Sequence, residues 1–292
     1  MSWDFAYDSP GAITELLATE GLSMTKKFGQ NFLLSEAVRQ RIVTALDVAE
    51  GQNVWEIGPG IGALTTLLLA QKVHLTAFEI DYGFCNILSN QAFADEKNFK
   101  LISGDALKTL PKALEEIGCP DRICGNLPYN VGSVLIAKLL ESSYRPSVMV
   151  FTLQKEVVNR ICAVEGSKDW SSFSLLGQMD YDPSLAFSIN SGAFYPPPNV
   201  DSSVVVFRLR KQSRVADAIR PAFMLMLREL FSQRRKTIKN NLLAGKVGSL
   251  IGKEGVSAIL AQSSLDPTLR AEALCWEQFL ALSSSLSSYL AK

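Results

Sequence analysis

One histidine, His74, stands in 292 residues, and the five cysteines, Cys85, Cys119, Cys124, Cys162 and Cys275, include no C-x-x-C pair. A Ser-His-Asp or Cys-His nucleophile would have to be built on a lone imidazole at the start of an apolar run, where a structural role fits better. A metal site lacks its clustered ligands. The odd cysteine count supplies no disulfide framework and suits a reducing cytosol. No apolar stretch approaches the roughly 18–20 uninterrupted residues of a membrane span. The opening MSWDFAYDSP also lacks the basic and apolar regions of a signal peptide. The expectation is a cytoplasmic chain with no metal and no membrane partner.

Net charge is absent too, since 29 Lys and Arg balance 29 Asp and Glu. The balance hides a segregation. From Arg208 to the end there are 14 basic and 6 acidic residues, against 15 and 23 in residues 1–207. Such asymmetry points to a nucleic-acid surface on the C-terminal part, although a solvated helical face carries the same charges. Hydrophobic residues make up 47% of the chain, which excludes wholesale disorder, and the length suits one large domain with a smaller one.

Short apolar runs at Asn53–Ile57, His74–Ile80, Phe99–Ile102, Arg122–Gly125 and Ser147–Leu153 alternate with helical patterns such as Ala63–Gln71 and Val134–Glu141. This rhythm predicts βαβ units and a parallel sheet. A helix over Ser35–Leu46, capped by Ser35, precedes it. Two further strand-like runs, Ser184–Ile189 and Ser203–Leu209, are joined by the proline-rich Tyr195–Asn199 and suit an antiparallel pair at the sheet edge. Beyond Arg214 the pattern is helical, including Gln233–Leu243. Residues 1–211 therefore read as an α/β domain and residues 212–292 as a small all-helical domain.

Val54-Trp55-Glu56-Ile57-Gly58-Pro59-Gly60-Ile61-Gly62 is a strand running into a glycine-rich turn that opens a helix. The spacing is G-x-G-x-G, neither a dinucleotide fingerprint nor a P-loop, and a turn without a ligand would use the same glycines. Glu79, twenty-one residues after Gly58, ends the next strand, where a carboxylate can accept both hydrogens of a ribose diol. Asp105 ends the third strand and suits an adenine amino group or a helix cap. Gly125-Asn126-Leu127-Pro128-Tyr129-Asn130 follows the fourth. In this loop the Asn126 amide oxygen and the Leu127 carbonyl, fixed ahead of Pro128, can accept the two hydrogens of a base amine while Tyr129 stacks on the ring.

These motifs, with Gly29-Gln30-Asn31-Phe32-Leu33, the run Phe194-x-Pro196-x-Pro198-x-Val200-x-Ser202-x-Val204 and Phe231-Ser232-Gln233-Arg234-Arg235-Lys236-Thr237, resemble in order the small-subunit (16S) rRNA adenine N6,N6-dimethyltransferases. The resemblance spans roughly residues 25–245. It implies a Rossmann-like methyltransferase fold and S-adenosylmethionine as methyl donor. Asn31, Leu33, Glu56, Gly58, Gly60, Glu79, Asp105 and Asn126 would hold the donor. Asn126, Leu127, Pro128 and Tyr129 would form the catalytic loop, with Phe194 facing the target adenine opposite Tyr129. The implied partner is small-subunit rRNA within a 30S assembly intermediate, met by a monomer. Arg234, Arg235, Lys236 and Lys239 are the expected RNA contacts, Arg234, Arg235 and Lys239 sharing one side of a helix while Phe231, Ile238 and Leu242 turn to the core. The alternatives are another adenine N6-methyltransferase, acting on 23S rRNA or DNA, and a nucleic-acid-binding relative with reduced catalysis.

Overall fold

The computed structural model describes residues 3–22 and 31–291; Gly29 and Gln30 of the first motif lie outside them. The chain divides into two compact units, the first comprising Met1–Val158 and Pro183–Leu209. In it, α1 (Pro10–Thr19) starts at Ser9, whose hydroxyl accepts from Ala12 N. After β1 (Phe32–Leu33), α2 (Glu36–Leu46) starts at Ser35, whose hydroxyl accepts from Val38 N. There follow β2 (Asn53–Ile57), α3 (Thr65–Leu69), β3 (His74–Glu79), α4 (Tyr82–Ile87), β4 (Phe99–Ser103), α5 (Ala106–Ile117), β5 (Arg122–Asn126), α6 (Gly132–Glu141) and β6 (Val148–Gln154), and then α7 (Lys155–Ile161), in which the chain passes from this unit to the second.

The main sheet has the order β4-β3-β2-β5-β6-β9-β7, where β7 is Tyr181–Ile189 and β9 is Ser202–Leu209. Strands β4 to β6 are parallel, and β9 runs antiparallel to β6 with Val206 opposite Val150. This is the parallel sheet with an antiparallel pair at its edge that the residue pattern predicts, in the Rossmann-like form that the resemblance implies. Its central strands are buried on both faces, which is why they read as unbroken apolar runs. Val54, Leu75, Cys124, Val150 and Val204 pack on one face with Ile42 and Leu46 of α2 and with Leu64 and Leu68. On the other, Trp55 meets Phe78 at 4.9 Å. The two-residue β8 (Phe194–Tyr195) leaves the main sheet and pairs antiparallel with β1.

The second unit comprises Asn159–Asp182 and Arg210–Lys292. It holds α8 (Ser172–Asp180), α9 (Arg220–Leu230), α10 (Ile238–Ala244), α11 (Lys246–Gln262) and α12 (Trp276–Leu290). This unit takes in 159–182, which the residue pattern assigns to the α/β part, and resumes at Arg210, where that pattern begins the helical part at 212. Trp170, 1% exposed, donates from Nε1 to Leu274 O at 3.0 Å, and Asp180 takes two hydrogen bonds from the Arg220 guanidinium at 2.8 and 2.9 Å. Phe223 stacks on Trp276 with centroids 5.7 Å apart.

The helix expected over Gln233–Leu243 is also corrected. Residues 231–237 are turns, and α10 begins only at Ile238, capped by Thr237. The cause is Asn241, whose Nδ2 donates to Leu230 O at 2.7 Å and Gln233 O at 3.2 Å, ending α9 and closing the loop on itself. Arg234, Arg235 and Lys236 therefore stand on an exposed loop, with half-buried Lys239 in the first turn of α10. The apolar side of the reading stands: Ile238 and Leu242 are fully buried and Phe231 stacks on Phe279.

Candidate active site

Between β2 and β5 the strand order reverses, and a parallel sheet opens a crevice at the carboxyl ends of the strands there. The two strands come so close that a Cβ on Gly125 would sit 2.4 Å from Ile57 O. Past Ile57 the chain turns through Gly58 at φ +70° and Gly60 at φ +58°, torsions a side chain disfavours, and so bends back over the crevice. The result is a cavity of about 330 Å³ lined by Asn31, Leu33, Glu56, Gly58, Gly60, Glu79, Asp105 and the loop Asn126–Tyr129. Every residue assigned to the cofactor from the sequence lies on it.

Two carboxylates sit under this loop. Glu79, 5% exposed, accepts from Gly60 N at 3.0 Å through Oε2 and from Ile80 N and Asp81 N at 2.8 and 2.9 Å through Oε1. Burial pushes its carboxyl up to about 7 against the pull of these three N–H groups. Glu56, 1% exposed, accepts a 2.6 Å bond from Thr65 Oγ1, and burial, with the Glu79 charge adding to it, also holds it at about 7. An unfolded glutamate ionises near 4.5, so between about 4.5 and 7 the fold binds a proton that the unfolded chain has lost. Stability from this group is therefore full below 4.5 and declines as pH rises through 7. Glu56→Gln, which keeps an oxygen for Thr65, is expected to leave Tm near wild type at pH 5 and raise it by about 2–4 °C or more at pH 8. Thermal unfolding at the two pH values checks this; an equal effect at both would contradict it.

Asp105 caps α5 through Oδ1, accepting from Leu107 N at 3.0 Å, while Oδ2 is left for a ligand. Asp81 caps α4, taking Gly83 N and Phe84 N. Asn126 donates from Nδ2 to Asn31 O at 2.9 Å, which fixes its amide with Oδ1 as the spare acceptor. Leu127 N donates to Thr152 O, and Pro128 O accepts from Val131 N and Gly132 N, so the bonds that hold the loop do not use the Leu127 carbonyl. Tyr129 is half-buried on the cavity wall, and burial raises its phenol pKa.

Phe194 is not brought to this cavity. Paired with Leu33 across β1 and β8, it is 2% exposed and packs in the core with Ile189 and Val204. Its cross-strand partner Leu33 shares that apolar cluster and lines the cavity, so the register sets Phe194 beside the wall rather than on it. His74 opens β3 as an exposed residue away from the cavity. Sequence reasoning missed Thr65, visible only as a hydroxyl nine residues after Glu56. It also missed Ile80, an apolar residue between two acids that is 43% exposed and lines the cavity.

The chain matches the family described as ribosomal RNA adenine dimethylase over residues 21–285. The ribosomal RNA small subunit methyltransferase A of Treponema denticola is 42% identical over 278 residues, covering 95% of this chain and 94% of that one. The protein of the same name from Borrelia garinii subsp. bavariensis is 38% identical, covering 99% and 98%. Among solved structures, a dimethyladenosine transferase from Plasmodium falciparum superposes with a TM-score of 0.71 at 23% identity, covering 85% of this chain and 94% of that one. The 23S rRNA methyltransferase ErmE superposes at 0.62 and 21% identity, covering 87% and 98%. These last two likenesses establish the fold.

Proposed function

The chain belongs to the ribosomal RNA adenine dimethylases, and on that premise we propose that it moves methyl groups from S-adenosylmethionine to N6 of two adjacent adenosines in the 3′-terminal hairpin of small-subunit rRNA, giving N6,N6-dimethyladenosine. The observation that carries this reading is the Asn126 loop, a hydrogen-bonded turn with two acceptors, Asn126 Oδ1 and Leu127 O, that take no hydrogen bond among the described residues, and one ring, Tyr129, on the cavity that the glycine turn opens.

The residues present fit the cofactor. Glu79 is an anchored acceptor for a diol, Asp105 keeps an oxygen for an amine, Ile80 and Leu107 offer apolar surface to a flat base, and the bare backbone of Gly58 and Gly60 leaves room for close approach. When bound, S-adenosylmethionine supplies an electrophilic methyl group on a sulfonium. The exocyclic nitrogen of adenine is a weak nucleophile because its lone pair is delocalised into the ring. Asn126 Oδ1 and Leu127 O, each holding one amine hydrogen, draw that nitrogen out of conjugation and aim its lone pair. Rate enhancement comes from this alignment and from dipoles already fixed before the base arrives. No strong base is required, in keeping with a site that has no histidine. The target base leaves its stack at a cost of a few kcal/mol, least in a hairpin loop.

Arg234, Arg235 and Lys236, exposed on the loop before α10, are assigned to RNA phosphates, with Lys239 beside them. Each phosphate they neutralise releases counterions, so the triple alanine variant is expected to flatten the salt dependence of rRNA binding by about 0.7–0.9 for each phosphate left without its cation. The affinity for S-adenosylmethionine should stay as it is. A wild-type salt slope would leave these cations as mere solvation of the loop. The substrate is inferred to be a 30S assembly intermediate met by one copy of the chain in the cytoplasm; no helix among the described residues is long and apolar enough to cross a membrane. The reading is tested by offering labelled methyl donor with undermethylated small subunits, large subunits and duplex DNA. Label is expected in small subunits alone, and transfer to either other substrate would overturn the assignment.

A further inference from the structure

Tyr129 is tied at both ends. Its backbone lies in the turn where Pro128 O accepts from Val131 N and Gly132 N, and its phenol oxygen is hydrogen-bonded to Ser202 Oγ. Ser202 is fully buried at the start of β9, opposite Gln154 of β6, and the carbonyl of its neighbour Asp201 accepts from Lys155 N at 2.9 Å. The ring on the acceptor loop is thus held by a sheet strand more than seventy residues further along the chain.

We propose that Ser202 is a positioning residue which locks the Tyr129 ring and thereby sustains the second of the two methyl transfers to each adenosine. The inference rests on the function proposed above. Each round forms one C–N bond from the nitrogen lone pair and breaks the C–S bond of the sulfonium. The bonding pair stays on sulfur as a thioether, and the nitrogen sheds one proton to water. In the first round two amine hydrogens meet two acceptors, and together these fix the plane of the base without help. In the second round one hydrogen remains, and a methyl group stands where the other was. A single hydrogen bond leaves the base free to swing about it, so the plane depends on the surface against which the ring stacks. A tyrosine fastened at its hydroxyl supplies a fixed plane; one free to tilt does not.

The test compares wild type, Ser202→Ala, Tyr129→Phe and the double variant on undermethylated small subunits. N6-methyladenosine and N6,N6-dimethyladenosine are quantified by mass spectrometry at equal total methyl transfer. A product ratio does not depend on how much of each enzyme is folded, and Tyr129→Phe removes one oxygen without touching the core. Both single variants are expected to raise the ratio of mono- to dimethylated product about two- to tenfold, the value of one hydrogen bond. The double variant is expected to match the singles, because both substitutions delete the same bond. A wild-type ratio in either single variant, or effects that multiply in the double, would overturn the proposal. Wild-type enzyme that makes no dimethyladenosine would instead overturn the function on which it rests.

Discussion

Asn126→Ala is expected to slow methyl transfer by about a hundredfold or more while leaving the fold and most of the cofactor affinity in place. The Asn126 amide is oriented before any substrate arrives, because its Nδ2 is committed to Asn31 O at 2.9 Å. The alanine variant lacks the acceptor proposed to hold one amine hydrogen. That hydrogen bond strengthens as the nitrogen turns out of conjugation, so the effect falls on kcat and not on substrate binding. The Leu127 carbonyl survives the substitution, since backbone bonds from Leu127 N and to Pro128 O hold it. Single-turnover rates at saturating cofactor measure the effect. An unchanged rate would mean that another group orients the amine.

The second large effect is expected at Glu79. Glu79→Ala removes the acceptor proposed for the ribose and also strips the partner from Gly60 N, Ile80 N and Asp81 N, so the glycine turn loses its brace together with the proposed anchor. Removing a charge-assisted pair costs about 1.5–3 kcal/mol, which predicts a fall in affinity for S-adenosylmethionine of roughly tenfold to over a hundredfold. The buried carboxyl also titrates near 7, and only its ionised form leaves Oε2, which holds a single amide, a lone pair for a ribose hydroxyl while all three amides stay bound. Wild-type affinity should therefore fall as pH drops below about 7, and in Glu79→Gln this dependence should shrink to what Glu56, also held at about 7 on the same cavity, contributes. Calorimetry from pH 5.5 to 8.5 reads both; an alanine variant binding as tightly as wild type would remove Glu79 from the site.

The sheet and its cavity are legible in the residues because both are encoded locally. A strand buried on two faces is a continuous apolar run, and a turn that needs positive φ is written in glycine, as at Gly58 and Gly60. What stays hidden depends on partners far along the chain. Trp170 belongs with the C-terminal helices because its indole bonds Leu274 O, 104 residues away. The loop carrying Arg234 to Lys236 has a helical apolar period, and the Asn241 side chain, by taking the Leu230 and Gln233 carbonyls, is what interrupts it. Phe194 could face either side of a two-residue strand, and only the pairing with Leu33 shows that it packs in the apolar cluster beside a residue of the cavity wall. Glu56 is readable as part of a motif, but its raised carboxyl arises from burial, against the pull of the Thr65 hydroxyl, and the motif states neither.

The central claim is that this cavity presents adenine N6 twice to a sulfonium methyl. Its most direct test is to incubate the protein with isotopically labelled S-adenosylmethionine and small subunits lacking the modification. The rRNA is then digested and the labelled nucleosides identified and mapped by mass spectrometry. The account predicts N6,N6-dimethyladenosine, doubly labelled, at two adjacent positions of the 3′-terminal hairpin. Label on another nucleoside, or N6-methyladenosine alone at completion, would contradict it.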